Sequence, residues 1–172
     1  MAMKTVRRLT GIMMAAATVL GLAACGKKPV PVPSPPETFS ASAVVLQGEE
    51  RREAAIEQAG PGQLTLAFSA PAELAGLVWS IDGTKTTLRY GDLTHGLSTA
   101  GLPAAGAAPL LLEALRQLRE SPALASPKRD GSWESGGRAG GYAYTARQEP
   151  DGRLRCLAVP ALDLTIEMTY GE

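Results

Sequence analysis

Between Thr38 and Glu172 apolar residues recur mostly at every second position, the pattern of strands with one buried and one wet face. Phe39, Ala41, Ala43 and Val45 alternate with serines and Val44, and Leu64, Leu66 and Phe68 alternate with Thr65 and Ala67. Leu77, Trp79 and Ile81 run into Asp82-Gly83, a hairpin turn, and Thr86, Leu88 and Tyr90 continue on the return strand. In the last stretch Leu162, Leu164, Ile166, Met168 and Tyr170 fall on one face, and Asp163, Thr165, Glu167 and Thr169 on the other. Residues 49–59 carry glutamates and alanines that favour helix, but the flanking strands and the alternation of Ala54, Ile56 and Gln58 predict a strand.

The period changes once. Pro109 suits a first helical position, Leu111, Leu112, Leu115 and Leu118 form an apolar stripe, and Glu113, Arg116, Gln117 and Arg119 line the other side. Pro122 ends the pattern, so a single helix is predicted over Pro109–Glu120. Beyond it Trp133, then Tyr142, Tyr144 and Ala146, then Asp151-Gly152 with Leu154 and Cys156, predict three more strands. The glycines of Gly131–Gly141 read as a flexible connection that could act as a gate. The expected order is about five antiparallel strands, one leucine-rich helix, then three or four strands, in one domain over residues 38–172.

The N-terminus has a different character. Lys4, Arg7 and Arg8 precede an apolar run from Ile12 to Leu22, about half the roughly 20 residues of a spanning helix, and Leu22-Ala23-Ala24-Cys25 follows. This sequence resembles the lipobox of bacterial lipoproteins. The resemblance implies that residues 1–24 are a signal peptide and that Cys25 is lipidated and is the sole membrane attachment. It places the protein outside the cytoplasm, on the cell membrane or, with Gly26 rather than Asp after the cysteine, on an outer membrane. Lys27-Lys28 and prolines 29, 31, 33, 35 and 36 then favour extended polyproline geometry. Residues 25–37 are expected to be a tether holding the domain up to roughly 35 Å from the bilayer.

Removing residues 1–24 takes away Lys4, Arg7 and Arg8 and no acid, which leaves 14 of the 17 basic residues against 17 acidic ones. A balance of −3 with no basic patch argues against nucleic acid or anionic headgroups as electrostatic partners. With Cys25 lipidated, Cys156 has no partner for an intramolecular disulfide.

The strand order, the segment Pro71-Ala-Glu-Leu74-Ala-Gly76 and the final alternating strand resemble the half-barrel of the outer-membrane lipoprotein carrier (LolA-like) family and its lipidated and stress-regulator relatives. That resemblance implies an α+β, mainly β fold, a curved antiparallel sheet forming an incomplete barrel under the helix. It also implies a concave side able to hold an acyl chain or a hydrophobic segment of another envelope protein. The candidate cavity residues are Leu66, Phe68, Trp79, Leu88 and Tyr144 on the sheet and Leu111, Leu115 and Leu118 on the helix. Aromatic residues make up only 5% of the chain, which leaves open whether such a cavity is vacant or filled by the core.

Catalytic groups are sparse. The one histidine, His95, falls in a predicted loop from Gly91 to Ala100, so a metal site built on two imidazoles is excluded and no cofactor is expected. Cys156, in phase with Leu154 and Ala158, reads as a small buried hydrophobe. Asp163 and Glu167 share the wet face of the last strand, where carboxylates could in principle act on a glycosidic bond and where solvation alone explains them. Trp79 reads as core, while Trp133 sits among polar neighbours and stays open between core and lining. A non-enzymatic binding module and a structural or interaction lipoprotein with a filled core are the two readings.

Overall fold

A computed structural model describes residues 28–98, 100 and 106–171, so the signal segment and Cys25 lie outside the described residues. The strands in chain order are β1 (Val30–Pro31), β2 (Phe39–Gln47), β3 (Glu50–Gly60), β4 (Gln63–Ala70), β5 (Leu77–Asp82), β6 (Lys85–Tyr90) and β7 (Leu93–Ser98). Helix α1 (Ala107–Glu120) follows, then β8 (Leu124–Ala125), β9 (Trp133–Ala139), β10 (Tyr142–Gln148), β11 (Leu154–Val159) and β12 (Leu164–Tyr170).

Ten of the strands form one antiparallel sheet in the order β7-β6-β5-β4-β3-β2-β12-β11-β10-β9, which does not close into a barrel. Helix α1 touches both β9 and β4. A flat sheet would hold those strands about 29 Å apart at 4.8 Å per strand. The helix is about 21 Å long at 1.5 Å per residue, so the sheet curls around it. Alanines 41, 43 and 54 on the inner face leave room for the helix leucines.

The core lies between helix and sheet. Ala108, Leu110, Leu111, Ala114, Leu115 and Leu118 are buried against Val45, Ile56, Leu64, Leu66, Leu157, Leu164 and Ile166. At roughly 1.5–3 kcal/mol for each large apolar side chain, this stripe holds the helix down. Gln117, expected on the polar side, reaches the edge strand β9 instead. Its amide nitrogen donates to the carbonyl of Arg138 and its amide oxygen accepts the Arg138 N–H at 3.3 Å, which covers part of that edge.

Several expectations change. Residues 49–59 are strand, as the alternation predicts, but six strands of six residues or more precede the helix rather than about five. The sixth, β7, carries His95, which therefore lies exposed on a strand opposite Leu88 and not in a loop. The helix starts at Ala107, so Pro109 is its third residue. The glycines of 131–141 form no flexible connection: Gly136 and Gly137 are within β9, and Gly140 and Gly141 make its tight turn into β10. Gly137 is required by packing, because a Cβ there would lie 2.6 Å from Tyr144 Oη.

Cys156 is on the outer face. The β10–β11 register slips between Arg147 and Gln148, so Leu154 faces inward opposite Gln148 while Cys156 lies opposite Arg147 and Glu167. Burial pushes its thiol above the usual range, helped by Glu167 and opposed by Arg147. Asp163 does not share a strand face with Glu167; with φ 48° it closes the 3-10 turn Pro160–Leu162.

The largest correction concerns the tether. Residues 30–36 lie against the domain as a strap. Val30 and Pro31 pair with Ala125 and Leu124, the Val32 N–H donates to the Ala123 carbonyl at 2.9 Å, and Val32 and Pro35 are buried. Gln148 Nε2 donates to the Pro33 carbonyl at 2.8 Å. Gly152 has φ +90°, and a Cβ there would sit 2.5 Å from the Ser34 carbonyl oxygen, so both its conformation and its closeness to the strap require glycine. The Arg119 guanidinium donates to Pro35 (3.2 Å), Pro36 (2.8 Å) and Gln58 Oε1 (2.8 Å). Prolines 33, 35 and 36 have no N–H to offer, so their free carbonyls carry the attachment.

Candidate functional site

The eight candidate cavity residues separate into two groups. Leu66, Leu111, Leu115, Leu118 and Tyr144 are buried in the packed core beneath the helix. Phe68, Trp79 and Leu88 are half-buried where the sheet runs on past the helix. Strand register places Leu66, Trp79, Leu88 and His95 in one row across β4, β5, β6 and β7 on the inner face, and Leu77, Tyr90 and Leu93 in the next.

Beside this row is a groove of about 530 Å³, floored by Phe68, Leu77 and Trp79 and walled by Pro71 and Leu74 of the β4–β5 turn. Glu50, Arg51 and Arg52 stand at its rim. Alternation along β3 puts Arg52 and Glu50 on the inner side, where they pair with each other, and Arg52 Nη1 also donates to Gln47 Oε1 at 3.3 Å. Arg51 pairs outward with Glu53 at 3.0 Å. Pro71 and Leu74 lie in the β4–β5 turn, where strand alternation carries no signal for lining.

Trp79 Nε1 is shielded from solvent and has no acceptor among the described residues; the same is true of Trp133 Nε1. Trp133 is buried near the start of β9, away from the groove-lining residues.

A second cleft of about 440 Å³ lies between α1 and the β3–β4 turn, lined by Pro61, Ile81, Pro109 and Leu112. Most of its polar rim is paired within itself. Glu113 receives Arg116 Nε at 2.9 Å and Nη2 at 2.6 Å, and this contact, partly offset by burial, holds the Glu113 carboxyl below its usual range. Arg116 also pairs with Glu120, and Arg119 is committed to the strap.

No group of three histidine, cysteine or acidic side chains among the described residues is placed to hold a metal ion. No helix among them is long and apolar enough to cross a membrane. The chain is similar in structure to a LolA superfamily protein. That protein is NE2245 from Nitrosomonas europaea, whose crystal structure matches over 81% of this chain and 67% of its own at a TM-score of 0.33 and 10% sequence identity. No family profile and no curated protein sequence matches this chain.

Proposed function

We propose that this chain is a lipid-anchored extracytoplasmic protein, attached through Cys25, that works as a non-catalytic binding module for an acyl chain or another apolar segment of the cell envelope. The observation that carries the binding part is the apolar groove of Phe68, Leu74, Leu77 and Trp79, set on the part of the inner face that the helix leaves uncovered. The anchor part is supported by the run Leu22-Ala23-Ala24-Cys25 behind a basic and apolar start.

A second reading, an interaction lipoprotein with no small ligand, is favoured by the burial of Leu66, Leu111, Leu115, Leu118 and Tyr144 in the core between helix and sheet. The two separate by experiment. Native mass spectrometry of the detergent-free protein should show co-purified lipid, and an apolar fluorescent probe should bind. Leu77→Glu, at a half-buried position of the groove, should weaken that binding at least tenfold, whereas Leu112→Glu at the second cleft should not. A clean apo mass with no probe binding supports the filled-core reading, and the reverse order of the two variants refutes the groove.

A further inference from the structure

The two edges of the large sheet differ in how they are guarded. Along β9 lie Glu134 and Arg138, and Gln117 of the helix binds the main chain of Arg138, so that edge is charged and partly covered. The other edge strand, β7, pairs only with β6, and all six of its residues are exposed. It contains no carboxylate, lysine, arginine or proline, the residues that usually protect an open edge. Instead it presents apolar side chains: Leu93 is 75% exposed and Leu97 37%, with Tyr90 beside Leu93 at 48%.

The turn before β7 fixes which of its main-chain groups face outward. Gly91-Asp92 is a two-residue hairpin loop, so Tyr90 and Leu93 exchange both main-chain bonds, and alternation then aims the N–H and C=O of Leu93, His95 and Leu97 at β6. Those of Thr94, Gly96 and Ser98 point away from the sheet. The strand is also symmetric about His95, with a leucine two residues to either side. A second copy laid antiparallel about that point sets Leu93 against the other copy's Leu97, His95 against His95, and Thr94 against Gly96, so the outward main-chain groups meet in phase. In the same register Asp92 lines up with Ser98 of the other copy, and Ser98 is paired with Lys85 in its own sheet. Acid and base thus come to about 10 Å, two strand spacings, at both ends of the junction.

We propose that β7 is a homodimer edge, where two copies of this chain join their sheets by antiparallel β7–β7 pairing about a two-fold axis at His95. The occupant is a second copy because the leucine spacing, the phase of the main-chain groups and the acid and base ends all match β7 to itself. The inner row Leu66, Trp79, Leu88 and His95 then runs on across the axis into the same row of the second copy in reverse. An axis perpendicular to the sheet keeps both inner faces on one side, so the two grooves of Phe68, Leu77 and Trp79 open in the same direction. Two six-residue strands make a contact below the standard interface size, and the dimer is accordingly a reversible one. The proposal depends on neither the anchor nor the groove reading.

Disulfide trapping in the full chain carrying Cys25→Ser and Cys156→Ser tests this. Facing residues at a non-hydrogen-bonded position have Cα atoms about 4.5 Å apart, within disulfide reach, so added His95→Cys should link to itself rapidly when dissolved oxygen and copper phenanthroline are supplied. Ser98→Cys, also at an exposed position, would lie about 20 Å from its counterpart in this register and should link at least tenfold more slowly. Leu93→Lys puts a charge on the edge at both ends of the junction without touching the core, and should slow the His95→Cys linkage by about tenfold. Equal rates for His95→Cys and Ser98→Cys would show collision alone and overturn the pairing. The absence of linkage through His95→Cys, or a rate that Leu93→Lys leaves unchanged, overturns it as well.

Discussion

Replacing Arg119 with methionine should loosen the strap while leaving the helix in place. Methionine keeps most of the aliphatic stem that packs at the half-buried site, and removes three hydrogen bonds from a charged donor to Pro35, Pro36 and Gln58. Such bonds contribute about 1.5–3 kcal/mol each when buried. Half exposure reduces them, and burial already pushes the Arg119 guanidinium below its ordinary value with only Glu37 and Tyr170 opposing, so the loss should total about 2–4 kcal/mol. Part of it is the orphaned Oε1 of Gln58, a side chain only 1% exposed. Urea denaturation should show a lower midpoint with an unchanged slope. Amide exchange at Val32, whose N–H is bonded to Ala123, should quicken by more than the global loss of stability accounts for. Arg119→Lys should recover less than half, since an ammonium cannot serve two backbone carbonyls and Gln58 in one forked geometry. A midpoint within about 0.5 kcal/mol of the parent, with Val32 exchange unaltered, would refute the clasp.

Tyr170 gives a pH-dependent counterpart. Its hydroxyl donates to the Leu154 carbonyl at 3.0 Å, and burial pushes its pKa up to about 12. A phenol held neutral in the fold contributes stability that is full below pH 10 and is lost as pH rises from about 10 to 12, by roughly 2–3 kcal/mol. Tyr170→Phe should flatten that alkaline limb in a pH series of melting temperatures, and a limb of unchanged slope would contradict the assignment. Gly137→Ala should destabilise by about 1–3 kcal/mol by driving a Cβ to 2.6 Å from Tyr144 Oη. In a double-mutant cycle with Tyr144→Phe most of that penalty should remain, because the ring carbon Cζ also lies only 2.7 Å away; full relief would show that the hydroxyl alone is the obstacle.

The strands were legible because a sheet with one buried face writes period two directly into the chain, and β2 to β6 and β12 follow it. Leu93, His95 and Leu97 carry the same alternation in β7, but their exposure leaves no packing partner to separate a strand from a loop. Cys156 changed sides because one extra residue in β11 reverses the phase, a slip that no local pattern announces. The strap was hidden for a different reason. Alternating prolines dictate the same extended backbone whether the segment is free or docked, and the groups that hold it are mostly main-chain carbonyls, which carry no residue identity. Only Val30 and Val32, apolar where a solvated spacer would be polar, distinguished it. In the groove, Phe68 and Trp79 were found from inward phase, while Pro71 and Leu74 belong to a turn, where phase has no meaning.

The strap also has a place in time. Its partners lie far downstream: Arg119 is 83 residues beyond Pro36, and Gln148 is 115 beyond Pro33. A chain that emerges N-terminus first exposes this segment at once, yet cannot seat it until α1 and the β10–β11 hairpin exist. Closing loops of that length is among the slower steps of assembly, so seating comes near the end. Until then residues 30–36 are open to solvent on every side; afterwards Val32 and Pro35 are buried against the folded body. Seating of the strap therefore reports that the helix and the β10–β11 hairpin are already in place.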